Sequence, residues 1–386
     1  MHRRSEDLHA PSAREVIKQA LLCQWRGDLP FPPPQGLPGD LIPFAVQKGS
    51  LGPVMAALSR WGLLGCLDPN VRTRAETSLK YTEMVNLGMQ RELERIIPLL
   101  REDFLDVVLF KGHDMIHSYY RDLRVRATTD ADILIREGDL PRIARALKRE
   151  GYTPNQGNPR SRWEKGTFRV DLHFHILDED RISARKYLPR IPVEEIFAHA
   201  RIRNIGGARY LSPDPYHSLI ITAVHALKHA YVMDYWFMDA GMVISSMGNS
   251  FALTHLLRTA DQYGLEKAVH IMLWALGALF HFPLFQFPLD DTALGGFSPG
   301  PLVRKCVTAA TLHTRFLQFG TFLMGTCIGS LRKRLQYFLE LAGPKATVLR
   351  KERGWGTPFG KKLPGLGPHG ERFIEFFQSL ATILKG

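Results

Sequence analysis

The spacing of apolar residues changes along this chain, and the changes mark its architecture. From Arg14 to about Leu100 it follows the 3.6-residue period of amphipathic helices. REVIKQALLCQW and LGPVMAALSRWG each show it, as does a long run from about Asn70 to Leu100 with Leu79, Met84, Leu87, Leu93, Ile96 and Ile97 on its apolar positions. Between the first two helices, GDLPFPPPQGLPGDLIP reads as loop. At Asp106 the texture shifts. VVLF (Val107 to Phe110) predicts a strand, Lys111-Gly112 a turn, and HDMIHSYY a helix with Met115, Ile116, Tyr119 and Tyr120 on one face.

After a basic loop, RDLRVRATT, the run TTDADILI predicts a second strand. GDLPRIARALKREGY reads as a helix capped by Asp139, with Pro141 in its first turn and Gly151 at its end. TFRVDLHFHI (Thr167 to Ile176) alternates: Phe168, Val170, Leu172, Phe174 and Ile176 take one face, and Arg169, Asp171, His173 and His175 the other. A hairpin is expected from about Arg201 to Leu211 around Gly206-Gly207. From Ser212 the helical period returns. SPDPYHSLIITAVHALKHA carries a Ser-Pro start signal, and at least four further helices are expected before Gly343. KERGWGTPFGKKLPGLGPHGER, including residues 351–372, reads as an irregular arm. ERFIEFFQSLATILK reads as an amphipathic helix docked on the body rather than on a membrane. There is no internal repeat.

Composition narrows the class. A chain of 386 residues with 45% hydrophobic and 23% charged residues has an ordinary globular core and needs no disulfide or metal to fold. Lys and Arg outnumber Asp and Glu by 50 − 38 = 12, a surplus that favours anionic partners without choosing among them. Cys23, Cys66, Cys306 and Cys327 form no CxxC pair, so a zinc ribbon or a thioredoxin-like motif is not expected, and reduced thiols in a cytoplasmic protein are. No apolar leader follows the charged N-terminus. AVHIMLWALGALFHF is too short to span a bilayer and reads as a buried helix.

The pattern that carries chemistry is Asp130-x-Asp132 at the head of a strand. Residues two apart share a face, their side chains rooted roughly 7 Å apart. Two carboxylates so placed need a positive neighbour. A lysine or arginine would serve, and a divalent cation with oxygen ligands would serve better. Asp171, on the polar face of another strand, joins them if that strand pairs beside the first. Three acids around two metal ions form a device for nucleotidyl displacement. The strand–Gly112–helix turn is a candidate anion site, with Lys111 and Arg121, Arg124 or Arg126 as phosphate contacts.

These pieces resemble the nucleotidyltransferase superfamily typified by DNA polymerase beta, and within it the bacterial uncharacterised nucleotidyltransferases. The resemblance rests on LFKGHDMIHSYY, RATTDADILI, FRVDLHFHI and LSPDPYHSLIITAVHALKHAYVMDYWFMDAGMVI, between about Asp106 and Ser245. It implies an α+β fold: a small mixed-sheet, polymerase beta-like core at residues 106–211, between helical regions at 1–105 and 212–386. It implies transfer of a nucleoside monophosphate, AMP first among them, from an NTP to a hydroxyl of a small molecule or protein. Asp130, Asp132 and Asp171 would be catalytic and would hold two Mg²⁺ ions, with Lys111, Gly112, His113 and Arg126 toward the phosphates. Where the superfamily turn carries Gly-Ser or Gly-Gly, this chain has Gly112-His113. The departure keeps a rival open: a nucleotide-binding scaffold without turnover. The positive charge prompts another, an RNA-directed enzyme, although no RNA-binding signature is present.

Further candidates surround this set. His173 shares the strand face of Asp171 and is a second neighbour of the metals or simply a hydrogen-bonded histidine. His225 and His229 lie four apart on a helix but lack the glutamate of a zinc protease motif; they are candidates for an acceptor cleft. Asp239 is a carboxylate in an apolar helix, read as a structural partner ahead of a general base. No G-x-S-x-G, Walker A or dinucleotide fingerprint occurs.

Overall fold

The structure is a computed structural model, and it describes residues 11–26, 33–102, 106–177, 183–284, 299–313 and 319–342. The arm at 351–372 and the amphipathic segment after it lie outside the described residues.

Seven strands of these residues form one mixed sheet: β1 (Val108–Phe110), β2 (Ala131–Leu134), β3 (Thr153–Pro154), β4 (Arg162–Lys165), β5 (Phe168–His173), β6 (Arg201–Ile205) and β7 (Ala208–Ser212), in the order β3-β4-β5-β2-β1-β7-β6. β2 runs parallel to β5 and antiparallel to β1, and β1 runs parallel to β7. The expected neighbourhood of the DxD strand and the Asp171 strand is therefore present, with β2 central.

Alternation along the strands divides the two faces. Leu109, Ala131, Ile133, Val170 and Leu172 point into one core. There they meet Met89, Leu93, Ile96 and Ile97 of α4 (Pro69–Glu102) and Ile143, Ala146 and Leu147 of α6 (Leu140–Arg149). Each fully buried aliphatic side chain contributes about 1.5–3 kcal/mol. Val108, Phe110 and Leu134 point the other way, into a second core. That core also holds α1 (Ala13–Arg26), α2 (Leu41–Lys48) and α3 (Leu51–Arg60) together with α8 (Pro215–Lys228), α9 (Tyr235–Met247), α10 (Leu253–Gln262) and α11 (Glu266–Phe280). Helices from before and after the sheet thus share one core over the face that carries the acids.

Several local expectations need correction. The Pro/Gly-rich stretch is not loop to its end, because α2 starts at Leu41; Pro43 sits in its first turn, where no backbone donor is required. β5 ends at His173, because Phe174 packs with the α4/α6 core and Ile176 with the opposite one, which a continuing strand forbids. HDMIHSYY begins as α5 (Gly112–Met115) and widens into a π-helical turn, Ile116–Tyr120, with the Arg121 amide donating to the Ile116 carbonyl at 2.7 Å. Asp139 makes no side-chain cap at α6. The cap of α8 is Asp214, which accepts from the amides of Tyr216 and His217, so Ser212-Pro213 only precede the start. AVHIMLWALGALFHF falls mainly in α11, largely buried. Among the described residues no helix is long and apolar enough to cross a membrane.

Candidate active site

Register builds the site. Phe110 of β1 lies opposite Asp132 of β2, Asp132 opposite Asp171 of β5, and Asp171 opposite Arg162 of β4. These four residues form one row across the sheet, on the face away from α4 and α6. Like charges directly opposite each other are destabilising, so this row needs compensation. Lys111 Nζ donates to Asp132 Oδ1 at 3.0 Å and lies 4.4 Å above the Phe110 ring. His173 Nε2 is 2.6 Å from the same Asp132 oxygen, with its ring edge-on to Phe110. Arg162 forks onto Asp171, Nε to Oδ1 at 2.9 Å and one terminal nitrogen to Oδ2 at 3.2 Å.

The three acids are not equivalent. Asp130, half-buried in the turn before β2, has its carboxyl pushed up to about 6, first by burial and then by the charges of Asp132 and Asp171; Lys111 and Arg169 oppose the shift. Burial acts on Asp132 in the same direction, but Lys111 and His173 outweigh it and hold that carboxyl below the ordinary range. Asp132 is thus neutralised by its neighbours, whereas Asp130 carries the surplus negative charge of the cluster. The donors suit a hard divalent cation. In this structure the oxygens of Asp132 and Asp171 meet Lys111, His173 and Arg162, so a cation there would require Lys111 to yield its place on Asp132. Among the described residues no three His, Cys, Asp or Glu side chains surround a common point.

The turn between β1 and α5 is held tightly. Lys111 adopts φ 58°, ψ −135°, a conformation that costs a non-glycine residue about 1–3 kcal/mol. Gly112 is required by packing, since a Cβ there would stand 2.8 Å from Cγ2 of Thr128. His113 is buried, and its Nε2 lies 2.9 Å from the Thr128 hydroxyl. Burial first, then the charges of His117 and Arg126, lower its imidazole to about 3. It is therefore neutral at physiological pH and adds no positive charge to the turn.

The remaining candidates lie around α9. Arg126 is buried; its Nε and a terminal nitrogen reach both oxygens of Asp239 at 3.1–3.3 Å, and its other terminal nitrogen donates to the Ala127 carbonyl at 2.6 Å. The Tyr120 hydroxyl donates to Asp239 at 2.8 Å, and the Arg126 guanidinium lies 4.0 Å from the Tyr235 ring centroid. Asp239 is thus structurally paired, and Arg126 is its partner. His225 and His229, at the end of α8, have rings 4.7 Å apart, and His229 stacks on Trp236. The phenol of Tyr235, at the start of α9, is raised by burial first, with the charges of Asp239, Asp130 and Asp132 adding to the effect against that of Arg126.

A family model described as uncharacterised nucleotidyltransferase matches residues 37–281, more than half of the chain. The chain belongs to this family. It is accordingly a transferase that takes a nucleoside triphosphate and moves a nucleoside monophosphate from it. No curated protein matches the chain. The family match spans the whole sheet, the Gly112 turn and helices α2 to α11, so this nucleotidyltransferase carries its acidic row inside the matched segment.

Four residues at the site escaped the sequence reading: Arg162, Thr128, Asn86 and Tyr235. Arg162 lies in RWEK, four residues without a clear alternation, and its relation to Asp171 exists only through pairing of β4 with β5. Tyr235 stands in the quoted family-like segment, where its neighbours His229 and Asp239 drew the attention instead.

Proposed function

We propose that this nucleotidyltransferase is Mg²⁺-dependent and moves AMP, from ATP, onto a hydroxyl of a small molecule or a protein in the cytoplasm. The observation that supports the reading is the in-register pairing of Asp132 with Asp171, with Asp130 in the turn that leads into β2 and its carboxyl raised by burial and by both of those charges. Clustered carboxylates with an unbalanced charge are what a bound cation relieves. In this reading the sheet is a polymerase beta-like core, and the helical regions before residue 106 and after 211 shape the acceptor cleft.

Asp130, Asp132 and Asp171 would hold Mg²⁺, two ions in the full arrangement. Bound there, the metal supplies charge neutralisation for the triphosphate and for the attacking oxygen. The chain's own groups do the rest. His173 holds Asp132 in orientation, and Arg162 does the same for Asp171. The Lys111 ammonium exchanges Asp132 for a phosphate oxygen when the nucleotide arrives, next to the backbone of the Gly112 turn. The acceptor oxygen bonds to the α-phosphorus, the bond to the β-phosphate oxygen breaks, pyrophosphate leaves, and the hydroxyl proton is lost to water. Positioning and preorganised charge account for most of the rate.

The test is incubation with NTPs labelled at the α-phosphate, Mg²⁺ and a cell extract, followed by fractionation of the label into small molecules, protein and RNA. Label in the protein or small-molecule fraction that disappears with the Asp130→Ala, Asp132→Ala double variant supports the reading; label in RNA redirects it; no label with any NTP sinks it. A second reading has its own support. Lys111 on Asp132 and Arg162 on Asp171 already neutralise two of the three acids, as in a protein that binds nucleotide without turning it over. Calorimetry establishes MgATP binding under either reading, and pyrophosphate release on addition of the acceptor-containing extract, lost in the double variant, separates the two, because binding with no release there is the outcome of the second alone.

A further inference from the structure

Asn86 lies on α4, is 0% exposed, and breaks the apolar stripe that this helix turns toward the sheet. A buried amide is costly unless its donors and acceptor are used. Here they are. Asn86 Nδ2 donates to the carbonyls of Leu123 at 2.7 Å and Arg126 at 2.9 Å, and its Oδ1 accepts from the Thr128 hydroxyl at 2.5 Å.

The direction of each bond follows from the one before. The two backbone carbonyls fix which end of the amide is nitrogen. Oδ1 is therefore the acceptor, and the Thr128 hydroxyl proton is spent on it. The Thr128 oxygen must then accept from His113 Nε2, 2.9 Å away, so the neutral imidazole carries its proton on Nε2. The methyl group of the same threonine fills the space that only a glycine leaves at position 112. One hydrogen-bonded chain thus joins a helix of the N-terminal region to the loop at 121–128, to the Gly112-His113 turn and, two residues beyond Thr128, to Asp130. Two residues of extended chain span at most about 7 Å, so the anchoring of Thr128 limits where the main chain can carry Asp130.

We propose that Asn86 is a positioning residue. Through Thr128 it sets the distance between the Gly112 turn and the segment that carries Asp130 into β2, the gap that must accept a triphosphate on one side and the acids on the other. This accounts for the histidine in the turn: His113 is a strut of the loop rather than a phosphate ligand. The functional consequence rests on the nucleotidyltransferase reading of the acids; the structural one does not.

The experiment uses the full chain and three variants: Asn86→Ala, Thr128→Val, which keeps the shape and loses the hydroxyl, and Thr128→Ser, which keeps the hydroxyl. Backbone amide exchange over residues 121–132 is read first, with strands β4 and β5 as internal reference. Exchange about tenfold faster in Asn86→Ala and Thr128→Val, with Thr128→Ser close to wild type, is expected for the loss of one buried hydrogen bond. MgATP affinity by calorimetry is expected to fall about tenfold in the same two variants and to be rescued in Thr128→Ser. Should Asn86→Ala fail to fold, Thr128→Val carries the test. Unchanged exchange in a folded Thr128→Val protein, or equal behaviour of the serine and valine variants, overturns the proposal. A wild-type chain that binds no MgATP sinks the functional reading, while exchange still decides the role of Asn86.

Discussion

Two acid–base clusters hold the candidate residues of this protein, and they are built on opposite plans. In the first, Asp239 meets Arg126 through both carboxylate oxygens and takes a third bond from Tyr120; the guanidinium is also on a carbonyl and against an aromatic ring. Every charge there has its counterpart. In the second, two carboxylates pair across the sheet face and a third stands in the turn leading into β2. Two have basic partners, and the third, Asp130, sits against its own kind with its carboxyl raised to about 6. The first cluster looks after its own electrostatics and holds α9 to the loop at 121–128. The second is left with a debt that a ligand can settle. A balanced charge pair marks architecture, and an unbalanced one marks a place for chemistry.

The widest separation between the clusters is expected in activity. Asp130→Ala with Asp132→Ala should lower nucleotidyl transfer by about 10³-fold or more, read on protein confirmed to be folded, because the loss of Asp132 also leaves the buried Lys111 ammonium without its carboxylate. Activity within tenfold of wild type would reduce the acids to surface decoration. Asp239→Ala should do the reverse. It leaves a buried guanidinium without its carboxylate and should destabilise the fold by about 3–5 kcal/mol in denaturant titration; a loss below about 1 kcal/mol would deny the pair its structural role.

Asp114 sharpens the contrast, being buried like Asp239 but served by hydroxyls, among them those of Ser118 at 2.9 Å and Tyr210 at 3.0 Å, in place of a paired guanidinium. Burial, only partly offset by those donors, raises its carboxyl to about 6. A folded-state value above the unfolded one means that the native state holds the proton more tightly, so this residue's contribution to stability falls as pH rises from about 4 to about 6. The Asp114→Asn variant lacks that decline. Its stability relative to wild type should improve by up to about 3 kcal/mol between pH 4 and pH 7; a constant difference across that range would refute the shift. The smallest effect is expected at the boundary of the acidic cluster. Lys111→Ala frees Asp132 of its ammonium, so Mg²⁺ alone should bind a few-fold tighter and MgATP a few-fold more weakly. Parallel changes in both affinities would mean that Lys111 does not pass from carboxylate to phosphate.

What could be read from the sequence follows from range. Alternation in TFRVDLHFHI is a property of a single strand and predicts the polar face that carries Asp171, whereas the expected strand at TTDADILI starts only at Ala131, so Asp132 lies on the sheet and Asp130 in the turn before it. Strand adjacency was conditional on pairing, and β2 beside β5 meets the condition. Arg162 was out of reach, because a four-residue strand has too little pattern and its meeting with Asp171 is an act of tertiary structure. The same holds for Arg126, which the sequence offers as a phosphate contact and which the fold gives to Asp239, 113 residues away. Asn86 was hidden by its surroundings, since one polar residue in a long amphipathic helix looks like ordinary surface until its partners are known. The bend after His173 arises because Phe174 and Ile176 are drawn to cores on opposite sides of the sheet.

Lys111 sits with a positive φ that glycine adopts at no steric cost and lysine does not. The chain therefore tolerates an uncomfortable main chain at the junction of β1 and α5 in order to keep a long cationic side chain rooted there. A glycine substituted at that point would relax the junction, yet it would take the ammonium from Asp132 and with it the lever by which an arriving polyanion could be felt at the acids.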